Sequence, residues 1–240
     1  MKILVINPNT SDGITATIVS AARAGAPHAE VVGVHPSRGV ASVESHIEEA
    51  WATIGVLEQI EIAGSSANPP DAYVIACFGD TGLAAAREAA SAPVVGMTEA
   101  AIFTAVTLAH RFAIVTMPPR TIAQSDRVVE ALGLSHRCSV RAVDVAVAEL
   151  EEGSTHLAEA FATEARRAIA EDGAEAIILG CAGLADLVEP LSAALGVPVI
   201  DGVTAAVAFA AGLVSQKLTT SRRGAYGTVE RAPSAVELLR

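Results

Sequence analysis

The sequence predicts an α/β protein of two similar halves, each a parallel sheet covered by helices. Three observations carry that prediction. Short β-branched runs alternate with Ala-rich stretches along the chain, as expected of successive βα units. Several of these runs, such as Tyr73-Val74-Ile75 and Ile177-Ile178-Leu179, are apolar throughout, the pattern of strands buried on both faces. One segment also repeats. Asp71-Ala72-Tyr73-Val74-Ile75-Ala76-Cys77 can be laid on Glu175-Ala176-Ile177-Ile178-Leu179-Gly180-Cys181, with an acidic residue, an apolar run, a small residue and a cysteine in the same order.

In chain order, the first strand is expected over residues 2–6 and is broken by Asn7-Pro8-Asn9-Thr10-Ser11. Those residues suit a turn and an N-cap. At a strand end they also offer Asn9 and nearby N–H groups to substrate oxygens, and both readings stand. A second strand is expected over residues 30–35. It is followed by Pro36-Ser37-Arg38-Gly39, where Arg38 is either an anion ligand or a solvated loop charge. A helix over 47–63, a strand over 72–76, a helix over 82–90 and a strand over 94–95 complete the first half. The second half reads as strands over 112–116, 139–145, 176–179 and 197–200, with helices over 156–170 and 185–195.

The repeat extends beyond the cysteines. Pro93-Val94-Val95 follows the first at almost the distance at which Pro198-Val199-Ile200 follows the second, and a threonine (Thr98, Thr204) and an Ala pair come next. Ile3-Leu4-Val5-Ile6-Asn7-Pro8 is similar to Ala113-Ile114-Val115-Thr116-Met117-Pro118. The expected division is an N-terminal α/β domain over 1–98, completed by 208–240, and a C-terminal α/β domain over 99–207. Residues 203–214 read as a buried helix. The polar tail after Ser215 reads as a surface or subunit-contact segment.

Composition excludes several function classes. A formal net charge of -11 gives no basic footprint for nucleic acid. No uninterrupted apolar stretch reaches the roughly 18 residues of a membrane span, and the N-terminal apolar run is too short for a signal peptide. Three scattered cysteines make no disulfide framework, so a reduced, cytoplasmic setting is expected. No CxxC or HExxH spacing points to a metal.

The chemistry is expected at the two matched cysteines. Each stands where an apolar strand ends and a Gly-containing turn opens a helix: Phe78-Gly79-Asp80-Thr81-Gly82 after Cys77, and Ala182-Gly183-Leu184 after Cys181. Ligands of open α/β sheets bind at the carboxyl ends of strands. A thiol at a helix N-terminus is expected to favour its thiolate. If the halves face each other, Cys77 and Cys181 stand on opposite walls of one cleft. One can then remove a proton from a carbon while the other returns one to the opposite face. Cys138 lacks such a context. A nucleophile pair of Cys138 with His136 is disfavoured, because residues so placed on an extended segment do not meet. Thr116, at the matching strand end of the second half, is a weaker binding candidate. Asp80 either caps its helix or holds the thiol region.

These motifs, with Gly173-Ala174-Glu175 and Gly196-Val197-Pro198-Val199-Ile200-Asp201, resemble the aspartate/glutamate racemase superfamily, and its hydantoin racemase branch in particular. The resemblance runs over almost the whole chain. It implies two Rossmann-like (flavodoxin-like) domains with parallel sheets about a pseudo-twofold axis, a site between them, no cofactor, a homo-oligomer, and Cys77 and Cys181 as the two bases. Amino-acid racemases of the superfamily carry Asp-Ser after the first strand; Asn7-Pro8 stands here, which disfavours a free amino acid. Arylmalonate decarboxylases have only the second cysteine. Allantoin racemases share nearly the whole pattern, and Thr81 stands where many hydantoin racemases have proline. The implied substrate is a small 5-substituted hydantoin. Its ring carbonyls would meet the N–H groups of Phe78, Gly79, Ala182 and Gly183. A cysteine-dependent maleate-type isomerase and a non-catalytic small-molecule sensor remain as alternatives.

Overall fold

In each half an acidic side chain fastens one strand to the start of its neighbour. The Asp71 carboxylate accepts the N–H of Lys2 (2.7 Å), and the Glu175 carboxylate accepts those of His110 (2.7 Å) and Arg111 (3.3 Å). Beside each, a backbone N–H closes the pair, from Asp71 to Lys2 O (2.8 Å) and from Glu175 to Arg111 O (2.9 Å). The repeated acidic residue is thus a strand-pairing device, repeated because the pairing is.

The computed structural model describes residues 1–147, 155–227 and 234–238. Its first sheet contains β1 (Lys2–Ile6), β2 (Glu30–Val34), β3 (Ala72–Ile75) and β4 (Val94–Gly96) in the order β2-β1-β3-β4. Its second contains β5 (Phe112–Thr116), β6 (Cys138–Ala142), β7 (Ala176–Gly180) and β8 (Val199–Asp201) in the matching order β6-β5-β7-β8. All pairs are parallel. The fold class read from the sequence is therefore the observed one.

The helices are α1 (Asp12–Gly25), α2 (His46–Gly64), α3 (Leu83–Ala89), α4 (Met97–Leu108), α5 (Ile122–Ala131), α6 (Thr155–Asp172), α7 (Val188–Leu195), α8 (Gly202–Ser215) and α9 (Ala235–Leu238). Alternate residues of the first sheet serve different cores. Leu4, Ile6, Tyr73 and Ile75 pack with Val56 and Ile60 of α2 and Ala86 of α3. Ile3, Val5, Ala72 and Val74 belong to the larger cluster that includes Ile18 of α1 and Val203 and Val207 of α8. Each such fully buried Val, Leu or Ile side chain contributes roughly 2 kcal/mol. The halves exchange helices: α4 follows β4 but packs on β7 and β8, while α8 follows β8 and packs on β3 and β4.

Several boundaries differ from expectation. Strand β6 covers Cys138–Ala142 rather than 139–145, because its partner β5 ends at Thr116 before Pro118; the last link is Val143 N to Thr116 O (3.0 Å). Strand β8 starts at Val199, and residues 182–187 form a 3-10 helix ahead of α7. Ladder register also corrects the internal alignment at one place. With Cys77 set on Cys181, Ile6 opposite Ile75 matches Val115 opposite Leu179, so the counterpart of Thr116 is Asn7, not Ile6. Likewise Gly96, opposite Ile75, matches Asp201, opposite Leu179.

The tail lies over the first half. The Arg222 guanidinium donates to Arg87 O (3.2 Å) and Glu88 O (3.0 Å), and Ser234 Oγ donates to the Glu61 carboxylate. Residues 228–233 and 239–240 of the tail lie outside the described residues. Among the described residues no helix is long and apolar enough to cross a membrane.

Candidate active site

Strands β1, β3, β5 and β7 end around one cavity of about 40 Å³, lined among others by Asn9, Cys77, Phe78, Thr116, Gln124 and Cys181. The parallel direction of both sheets brings these strand ends together. Val43 and Val147 line it from two loops that are linked by the Val147 N–H donating to Glu44 Oε1 (3.2 Å).

Both cysteines are free thiols and half-buried. The sequence argument expected thiolates, and the burial of the sulfurs reverses this. Burial pushes Cys77 up to about 12, opposed by a hydrogen bond from Thr81 and reinforced by the charge of Cys181. Burial pushes Cys181 up to about 11, opposed by the backbone N–H groups of Gly183 and Ala182. The two sulfurs are thus close enough for the charge of one to resist ionisation of the other. Cys138 does not line the cavity; it opens β6, and burial pushes it up to about 12.

Asn9 is positioned by Asn7. The Asn7 amide donates to Asn9 Oδ1 (2.8 Å) and Thr15 Oγ1 (2.9 Å), and the Ser11 N–H also donates to Asn9 Oδ1 (2.9 Å). A backbone N–H only donates, so Oδ1 is fixed as the acceptor and the Asn9 NH₂ is left toward the cavity. Turn-forming and site-lining are therefore both true of this segment. Ser11 also caps α1 by accepting from Ile14 N (3.0 Å).

The other expected contacts divide. Thr116 lines the cavity, but its hydroxyl donates to Gly180 O (3.1 Å) and lies 2.9 Å from Thr121 Oγ1. Phe78 and Ala182 line the cavity. Gly79 is a correction: its N–H donates to Thr98 Oγ1 (2.8 Å) and is already engaged. Gly183, with Ala182, serves the Cys181 sulfur itself. Asp80 caps α4 rather than its own helix, accepting from Thr98 N (2.8 Å) and Glu99 N (2.9 Å) at φ 53°. Burial pushes its carboxyl up to about 7.

Sequence reasoning missed Gln124 and Ser125 of α5, both buried against the cavity. Among the described residues the Gln124 amide has no hydrogen-bond partner. Its one sequence signal was weak: polar residues on a helix are normally read as solvent-facing. The described residues bring together no group of three or more His, Cys, Asp or Glu side chains able to hold a metal.

Two parallel sheets of matching order, each presenting a cysteine to one shared cavity, define a double α/β fold with paired thiols. The Asp/Glu/Hydantoin racemase family model matches residues 3–210. A hydantoin racemase from Rhizobium meliloti is 42% identical over 228 residues, 94% of this chain and 94% of that protein. The solved allantoin racemase from Klebsiella pneumoniae is 46% identical with a TM-score of 0.93, covering 97% of this chain and 95% of that one. The solved allantoin racemase from Pseudomonas fluorescens is 42% identical with a TM-score of 0.92, covering 97% and 99%. The chain belongs to the Asp/Glu/Hydantoin racemase family, a family of isomerases.

Proposed function

We propose that this protein racemises 5-substituted hydantoins without a cofactor, using Cys77 and Cys181 as a two-base pair. The observation that carries this reading is that Cys77 and Cys181 line one pocket from the two halves. Hydantoin C5 lies beside a ring carbonyl, so removal of its proton gives an enolate. One cysteine, as thiolate, takes the C5 proton; the C–H electron pair passes into the enolate. The other cysteine, as thiol, returns a proton to the opposite face and becomes the thiolate. The next turnover runs in reverse. Their mutual repulsion suits this cycle, since it opposes double ionisation.

The Asn9 NH₂ and the Gln124 amide are the polar groups free to meet a ring bearing both N–H and C=O. Phe78 N–H is a further donor for the enolate oxygen. A second reading is allantoin, itself a hydantoin with a ureido group at C5; the 46% identity to an allantoin racemase favours including it. The homo-oligomer and the cytoplasmic location expected from the sequence belong to this proposal, and sedimentation at micromolar concentration tests the first.

Decay of optical rotation with L- and D-hydantoins of varied C5 substituent, and with allantoin, tests the function. Decay with deuterium uptake at C5 is expected. Binding without exchange would make the protein a sensor, and an isolable thioether adduct would favour a maleate-type isomerase.

A further inference from the structure

We propose that Thr81 is a positioning residue for Cys77, its hydroxyl donating to the sulfur and holding it ready to accept a proton, as backbone N–H groups do for Cys181. This rests on the two-cysteine reading above.

The two sulfurs are supported differently. Cys181 faces the N–H groups of Ala182 and Gly183 at the start of a 3-10 helix. On the other wall the counterpart of Gly183 is diverted: Gly79 N–H goes to Thr98 Oγ1 (2.8 Å), and among the described residues no backbone N–H supports the Cys77 sulfur. What reaches the Cys77 sulfur is the Thr81 hydroxyl, at 3.3 Å.

Thr81 is 1% exposed, and among the described residues its hydroxyl donates to no other acceptor. A neutral thiol is a weak acceptor and a thiolate a strong one. The buried hydroxyl is therefore fully satisfied only when Cys77 is ionised. The turn itself does not need it: Asp80 N to Cys77 O and Leu83 N to Asp80 O (3.0 Å) already close the turn through backbone. The hydroxyl is thus available for the chemistry of the sulfur.

The test uses two single-cysteine proteins, Cys138→Ala with Cys181→Ser, and Cys77→Ser with Cys138→Ala. The pH dependence of iodoacetamide labelling is measured in each, with and without Thr81→Val. In the protein that keeps Cys77, Thr81→Val is expected to slow labelling near neutral pH on the order of tenfold and to move the midpoint to higher pH. Thr81→Ser is expected to restore both. In the protein that keeps Cys181, neither is expected to change. Unaltered Cys77 labelling overturns the proposal, and so does equal slowing of both cysteines, which would mark a general loosening. If Thr81→Val gives no cooperative melt, Thr81→Pro removes the same hydroxyl and carries the same expectation. Labelling does not depend on turnover. Full racemisation by either single-cysteine protein would overturn the two-cysteine reading while leaving the labelling result intact.

Discussion

A β-carbon on Gly96 would lie 2.4 Å from Cγ of Asp80. The matching residue of the second half, Asp201, caps α8 with its own carboxylate, which accepts from Val203 N (3.2 Å) and Thr204 N (2.7 Å). In the first half the strand ends on a glycine, and the carboxylate at the helix N-terminus comes from the turn after Cys77. The same capping requirement is met from two places in the chain. The first arrangement ties the Cys77 turn to α4.

Gly96→Ala is therefore expected to displace Asp80, loosening both the α4 cap and the Cys77 turn. Overpacking and cap loss predict a cost of about 2 kcal/mol, read from the urea midpoint, together with lower activity. Gly212→Ala, where an added Cβ meets nothing within 4 Å on a helix, is the control and should be neutral or stabilising. Equal stability of both variants would contradict the coupling.

Asp80 also sets a pH dependence. Its folded value, raised by burial to about 7, lies above the ordinary 3.8. Between those values the folded state binds more protons than the unfolded state, so stability falls as pH rises from about 4 to about 7. Asp80→Asn should flatten that slope in chemical denaturation run at several pH values, at the loss of one of the two capping bonds. An unchanged slope would remove Asp80 as its source.

How much of this was legible follows from where the controlling partner lies in the chain. Strands β1 and β5 were found to the residue because apolar runs are local signals. The cysteines were found because each carries its flanking pattern with it. Asp80 was not assignable: its partners, the N–H groups of Thr98 and Glu99, are 18 and 19 residues away. Gly79 failed as a donor for the same reason, since Thr98 takes its N–H. Gln124 was missed because only the second sheet's geometry turns that face of a polar helix into the cavity. The ionisation of the cysteines was misread because a strand-end position suggests helix dipoles and says nothing of depth.

That depth predicts a pH profile. With both thiols pushed up to about 11 and 12, few enzyme molecules hold a thiolate at neutral pH. If the proposed two-cysteine reaction holds, it needs one thiolate, and kcat/KM should climb by nearly tenfold per pH unit, without a plateau, from about pH 7 to about pH 9. Spontaneous racemisation must be subtracted at each pH. A plateau below pH 8 would show that the free enzyme ionises more easily than its burial implies.

Gln124→Leu should raise KM severalfold with a smaller effect on kcat, because it removes the amide proposed to meet the ring and leaves the proposed proton-transfer groups in place. Cys138→Ala should stay active, and substrate should protect Cys77 and Cys181, but not Cys138, from alkylation. A folded but inactive Cys138 variant would move the chemistry away from the shared cavity.

The most discriminating prediction concerns the two walls. Cys77→Ser and Cys181→Ser should each lose racemisation, since a hydroxyl is far too weak an acid to supply the equivalent of a thiolate near neutral pH. Each variant nevertheless keeps one thiol. Once ionised, that sulfur can remove the C5 proton from the enantiomer whose C–H faces it. Only the same side offers a hydrogen back, so once that thiol has exchanged its proton with D₂O the enolate takes deuterium with its configuration retained. In D₂O each variant should therefore exchange one enantiomer without inverting it, and the two variants should prefer opposite hands. The readout is loss of the C5 proton signal at constant optical rotation, after subtraction of spontaneous exchange. If both variants exchanged the same enantiomer, the sulfurs would share one face of the substrate. If either kept full racemisation, the second base would be another group. Both results are incompatible with proton removal at one wall of the cavity and proton delivery from the other.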